Sequence, residues 1–139
     1  MNAAWKAAVQ ADDVEALEQL LSTGLDINAK DEHGQTALML AARDGRVAVA
    51  QLLIGRGADL NHRAKFNLTA LMLAVVNARV SLVRALVDAG ADLTVRGAGA
   101  PGFDDKTALE LAAGRADYAA SDRMGEIMRI LASAGGRPC

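Results

Sequence analysis

Aromatic residues make up only 3% of this 139-residue chain. That argues against a ligand pocket walled by rings and suits thin helices packed closely through small side chains. Cysteine is all but missing: Cys139 stands alone, so no intramolecular disulfide can form and nothing marks an oxidising compartment. Nowhere do about 18 apolar residues run together, the length a membrane-spanning helix needs. Residues 1–30 carry Asp12, Asp13, Glu15 and Glu18 and have no uninterrupted apolar core of signal-peptide type. A soluble, cytoplasmic protein is expected. Basic charge is not in excess either, with 15 Lys and Arg against 17 Asp and Glu and a net charge of −2, so the footprint of a nucleic-acid binder is missing. What is abundant is apolar aliphatic residue, 52% hydrophobic overall, enough for one core in a chain of ordinary domain length.

The chain is written in repeats. The stretch GQTALMLAARDG, residues 34–45, is answered by NLTALMLAVVNA, residues 67–78. Thr36 and Thr69 lie 33 residues apart, as do Gly24, Gly57 and Gly90, each followed two residues later by Asp26, Asp59 or Asp92. A fixed period of that length signals a stacked array of small helical units.

The unit DEHGQTALMLAARDGRVAVAQLLIGRGADLNHR, residues 31–63, resembles an ankyrin repeat. A degenerate copy precedes it (WKAAVQADDVEALEQLLSTGLDINAK), and KTALELAA with GEIMRILASAGG makes another near the end. The consensus Pro is replaced by Ala37, Ala70 and Ala108, and the consensus His by Met39, Met72 and Glu110. The resemblance implies an all-α, ankyrin-repeat solenoid of four helix-turn-helix units joined by hairpin loops, with the outer units as caps. It implies one domain, 1–139, with repeats at about 1–30, 31–63, 64–96 and 97–139.

Local signals place the elements. The first helix should begin almost at Met1 with Trp5, Ala8 and Val9 inward. Asp12 or Asp13 is placed to accept hydrogen bonds from the free amides of a second helix, Val14 to Leu21, whose Leu17, Leu20 and Leu21 form the buried stripe. In the second unit Asp31 to Gly34 turn, Thr36 caps the helix Ala37 to Arg43, and Gly45 ends it in left-handed geometry. Val47 to Ile54 follow. Ala41 and Ala42 are small enough to let neighbouring units approach. The third unit has Asn67 for Gly34 and Ala78 for Gly45. Because Asn tolerates positive φ better than Ala, Asn77 is expected to take over the left-handed position by shifting the helix end by one residue. In the fourth unit Thr69 to Thr107 spans 38 residues, five over the period, so Gly97 to Pro101 read as a flexible hairpin extension. About seven further residues near Gly114 to Ala120 lengthen the connection between the last two helices. Arg123, Glu126 and Arg129 give the final helix a polar face, and Gly135 to Cys139 should fray.

No catalytic cluster emerges, and no cofactor or metal is expected. His33 and His62 fall in successive hairpins about one repeat apart and lack a nearby third ligand. Asp104 and Asp105 stand just before Thr107, where acidic residues favour the positive end of a helix. Gly97-Ala98-Gly99 lacks the strand and the third glycine of a dinucleotide fingerprint. Met39 and Met72 sit at equivalent positions, as packing between repeats or as adaptable contacts. Ser22, Ser81, Ser121 and Ser133 have no histidine nearby in the register.

What remains is the surface through which ankyrin-like proteins bind other proteins: hairpin tips and the exposed face of each first helix. The resemblance assigns Glu32, His33, Gln35, Arg43 and Asp44 in the second unit, and Lys65, Phe66, Leu68, Val76 and Asn77 in the third. An exposed Phe beside an exposed Leu suggests an anchor, unless Phe66 folds back onto the neighbouring hairpin; the register sets Phe66 and Leu68 next to Arg43. The expected role is a monomeric, non-catalytic protein-protein interaction module with a protein partner and neither nucleic acid nor membrane. The alternative is a dedicated regulator or inhibitor of one enzyme, ahead of an enzyme in its own right.

Overall fold

A computed structural model describes residues 3–99, 104–113 and 121–135. Among them run eight α-helices in pairs: α1 (Ala3–Gln10) with α2 (Val14–Ser22), α3 (Ala37–Asp44) with α4 (Val47–Gly55), α5 (Ala70–Val76) with α6 (Val80–Asp88), and α7 (Ala108–Ala113) with α8 (Ser121–Gly135). The odd-numbered helices pack on one another in chain order, as do the even-numbered ones, so the pairs stack into two layers. This is the helix-turn-helix solenoid that the period implied.

Each helix has a local cause. Thr36 and Thr69 sit in extended backbone and accept, through Oγ1, the amides of Met39 and Met72, each at 3.3 Å. Thr107 repeats the device with the amide of Glu110 and also donates its hydroxyl to that carboxylate. Gly45 ends α3 with φ 74°. The seam between layers is built from residues the repeat pattern shares: Leu38, Met39, Ala41 and Ala42 of α3 and Leu71, Met72, Ala74 and Val75 of α5 are all buried. Met39 and Met72 are therefore packing residues, each 1% exposed. Trp5, Ala8, Val9 and Leu17 are buried as expected, while Leu20 and Leu21 are only half-buried.

The end of α5 also differs from the sequence reading. Asn77 does not take the left-handed position. Its φ is −99° and its side-chain amide donates to the Leu73 carbonyl at 2.8 Å, so Ala78 itself adopts φ 55°. The reason is register: the Arg79 amide bonds the Ala74 carbonyl just as the Arg46 amide bonds that of Ala41, fixing which residue turns. Of the two candidate caps for α2, Asp13 serves, through the Ala16 amide, while Asp12 turns left-handed (φ 54°) and reaches the Val49 amide in the next unit at 3.1 Å. The lengthened connection 114–120 and the end of the chain beyond Gly135 lie outside the described residues.

Candidate functional site

The hairpins between units form one edge of the stack, and side-chain bonds lace them together. His62 Nε2 donates to the Gly34 carbonyl (3.1 Å), joining the third-unit hairpin to the second. Asn67 Nδ2 donates to the Arg96 carbonyl (2.7 Å) and the Ala98 amide to the Phe66 carbonyl (2.8 Å), joining the third to the fourth. Below the tips, Asn28 and Asn61, one period apart, accept the amides of Asp59 and Asp92.

Inside the second-unit hairpin Asp31 is buried, and its Oδ1 accepts the amides of His33 and Gln35 at 2.9 Å each. Burial works against the charged form, but these amides and Lys6, whose Nζ is 3.3 Å from Oδ2, outweigh it and hold the carboxyl below its usual range. Lys6 also bonds Glu32 at 3.0 Å, and Glu32 comes within 3.6 Å of the exposed His33 ring. Gln35 is half-buried.

The third-unit hairpin differs. Phe66 and Asn67 have φ 63° and 60°, consecutive left-handed residues of the sort primed hairpin turns require and that Asn and Gly normally supply. Phe66 is 41% exposed, with Lys65 Nζ 5.1 Å from its ring centroid, near enough for a cation-π contact. One flank of the ring faces Gly99, whose missing Cβ would stand 3.7 Å from it. Phe66 thus leans on the neighbouring hairpin and still shows its ring to solvent. Leu68, expected to be exposed, is half-buried and packs on the core, because it immediately precedes the buried cap Thr69; Val76, the last residue of α5, is half-buried too.

The remaining candidates stand elsewhere. Arg43 and Asp44 pair with each other (2.9 and 3.1 Å) in the last turn of α3, and the Arg79 Nε donates to the Arg43 carbonyl. The Arg43 guanidinium lowers the Asp44 carboxyl pKa. Asn77 is exposed at the equivalent end of α5. A helix of eight residues spans roughly 12 Å, so Arg43 stands at the opposite end of α3 from the hairpins. Phe66, Leu68 and Arg43 do not form one cluster. The ten candidates fall into a hairpin group and a helix-end group.

The chemistry candidates resolve into structural roles. Among the described residues no three of His, Cys, Asp and Glu gather as metal ligands. Asp104 accepts the Gly99 amide through its side chain and Asp105 accepts Arg96 through its carbonyl, so both fasten the fourth hairpin instead of serving the α7 terminus. Gly97, buried, bonds both Lys106 and Asp105 through its backbone; the described part of the supposed flexible extension is thus hydrogen-bonded, and residues 100 and 101 lie outside the described ones. The sequence reading passed over Lys30 and Arg63, exposed cations on successive hairpins. The 33-residue period that relates Lys30, Arg63 and Arg96 would have found them.

Stacked helix pairs joined by laced hairpins define a helical repeat protein with a ready-made edge. A family model described as ankyrin repeats, in three copies, matches residues 4–97, and the chain belongs to that family. No curated protein matches it. Ankyrin repeats are in general protein-protein interaction modules, and the family is typically non-catalytic. No helix among the described residues is long and apolar enough to cross a membrane.

Proposed function

We propose that residues 1–139 form a single, monomeric, non-catalytic repeat domain that binds a protein partner along its hairpin edge. Glu32, His33, Gln35, Lys65, Phe66 and Leu68 form the primary contact, and Arg43, Asp44, Val76 and Asn77 at the first-helix ends form a second. The observation that carries this reading is Phe66. A bulky residue in left-handed backbone is an outlier, and such strain collects where surrounding structure holds a side chain for use. Bonds from Ala98 and through Asn67 hold it here.

Affinity purification of the wild-type chain and of Phe66→Ala, read by mass spectrometry, tests the proposal. The variant should keep its helical circular dichroism and lose partner capture by about 30-fold, the effect of an anchor worth at least about 2 kcal/mol. Leu68 is left intact because its packing would confound stability with binding. Undiminished capture by folded Phe66→Ala would remove the hairpin edge from the interface. A single stoichiometric partner would mark a dedicated regulator, and several weak ones a scaffold.

A further inference from the structure

The charges on the hairpin edge are divided unequally between paired and unpaired groups. Its carboxylates are engaged within the chain: Asp31 and Glu32 with Lys6, Asp26, Asp59 and Asp92 with the amides of Asn28, Asn61 and Thr94, Asp104 with the Gly99 amide, and Asp105 with Arg96. Among its cations Arg96 is engaged too, with Asp105 and Glu110, but the others are not. Lys30, Arg63, Lys65 and Lys106 are exposed and, among the described residues, form no salt bridge; Lys65 has only the Phe66 ring, and Arg63 acts on Asp92 only through space. On this edge an acidic chain of net charge −2 thus presents, among the described residues, four exposed cations without ion-pair partners together with a half-exposed aromatic ring.

We propose that this edge takes an extended, acidic peptide segment of a partner protein, with one apolar side chain seated against Phe66 and its carboxylates on Lys30, Arg63 and Lys65. The proposal rests on the hairpin-edge reading above and specifies the chemistry of its partner. Spacing supports an extended segment: packed helices stand about 8–10 Å apart, which sets the separation of equivalent cations such as Lys30 and Arg63, and three residues of extended chain cover about 10 Å. Carboxylates about three positions apart would meet cations on neighbouring hairpins. The lacing of the edge by His62, Asn67 and Ala98 means that little ordering is left to be done on binding, which favours affinity. Charge pairing of this kind speeds encounter and sets specificity more than it adds raw affinity, leaving the apolar seat on Phe66 as the anchor.

Panning random-peptide phage against the immobilised chain, with the double variant Arg63→Glu/Lys65→Glu in parallel, tests this. Enriched clones should carry Asp or Glu about three positions apart around one apolar residue. A fluorescein-labelled synthetic copy of the best clone should bind the double variant at least about tenfold more weakly, weaken as salt rises, and lose about 30-fold against Phe66→Ala. Unchanged circular dichroism would show that these exposed substitutions leave the fold alone. Enrichment without acidic bias, or no enrichment at all, would overturn the proposal, as would an oligothymidylate that binds as tightly as the peptide, since the edge would then be a general polyanion surface. A cellular partner whose capture needs Phe66 but ignores Arg63→Glu/Lys65→Glu would overturn it too, while leaving the hairpin-edge interface standing.

Discussion

Ala78 ends α5 in the same left-handed turn that Gly45 makes at the end of α3, with φ 55° against 74°. That backbone costs a non-glycine residue about 1–2 kcal/mol. Against this stand the greater unfolded freedom of glycine, roughly 0.4–1 kcal/mol, and a few tenths for the half-buried Ala78 methyl. The balance favours Ala78→Gly by roughly 0.5 kcal/mol, a rise in melting temperature of about 2 °C. The reverse change should be worse. A Cβ on Gly45 would meet the Arg79 side chain at 3.1 Å, and that side chain is bonded to the Arg43 carbonyl, so Gly45→Ala should cost about 2 kcal/mol. A lower melting temperature for Ala78→Gly would mean that methyl packing outweighs strain. The position of the turn was legible in the register, because Ala78 aligns with Gly45. Propensity pointed to Asn77 instead, since the sequence does not show that its amide is occupied by the Leu73 carbonyl.

Between elements, the interaction most easily misassigned is that of Asp12. Arg46 precedes α4 and offers no side-chain cap, so the Val49 amide would be unsatisfied without the carboxylate of Asp12, 37 residues earlier. Asp12→Ala removes a cap worth about 1 kcal/mol and leaves alanine at φ 54°, where Asp is better tolerated. A total loss of about 1.5–2 kcal/mol is expected by urea denaturation, with faster hydrogen exchange at the Val49 amide. Asp12→Asn keeps an acceptor and tolerance of that backbone, and should cost only a few tenths. Equal losses for the two variants would show that the bond to Val49 contributes nothing. The helices were legible because their causes are local: threonine caps at a fixed spacing, a C-terminal glycine, an apolar stripe. The partner of Asp12, the half-burial of Leu68 and the conformation of Phe66 were not, because each is set by another unit. Phe66 reads as an exposed loop residue until Ala98 and the Asn67–Arg96 bond are seen to hold it.

At the scale of the whole molecule the question is whether the units unfold together, since each repeat is stabilised mainly by its neighbours. Every junction carries both apolar packing and at least one bond between units: Asp12 to Val49 and Lys6 to Glu32 at the first, Arg79 to Arg43 at the second, Arg84 to Glu126 at the third. Trp5, the only tryptophan, is 1% exposed in the first unit, so its fluorescence reports that end alone, whereas far-UV circular dichroism sums all the helices. If coupling across the junctions exceeds the intrinsic instability of a single unit, the two signals should trace one urea transition with a common midpoint. Asp12→Ala should then move both curves together, because destabilising the first junction destabilises the whole. A fluorescence change that precedes the loss of helix would show instead that the first unit comes away alone, and in that case Asp12→Ala should shift the fluorescence midpoint and leave the helical one in place.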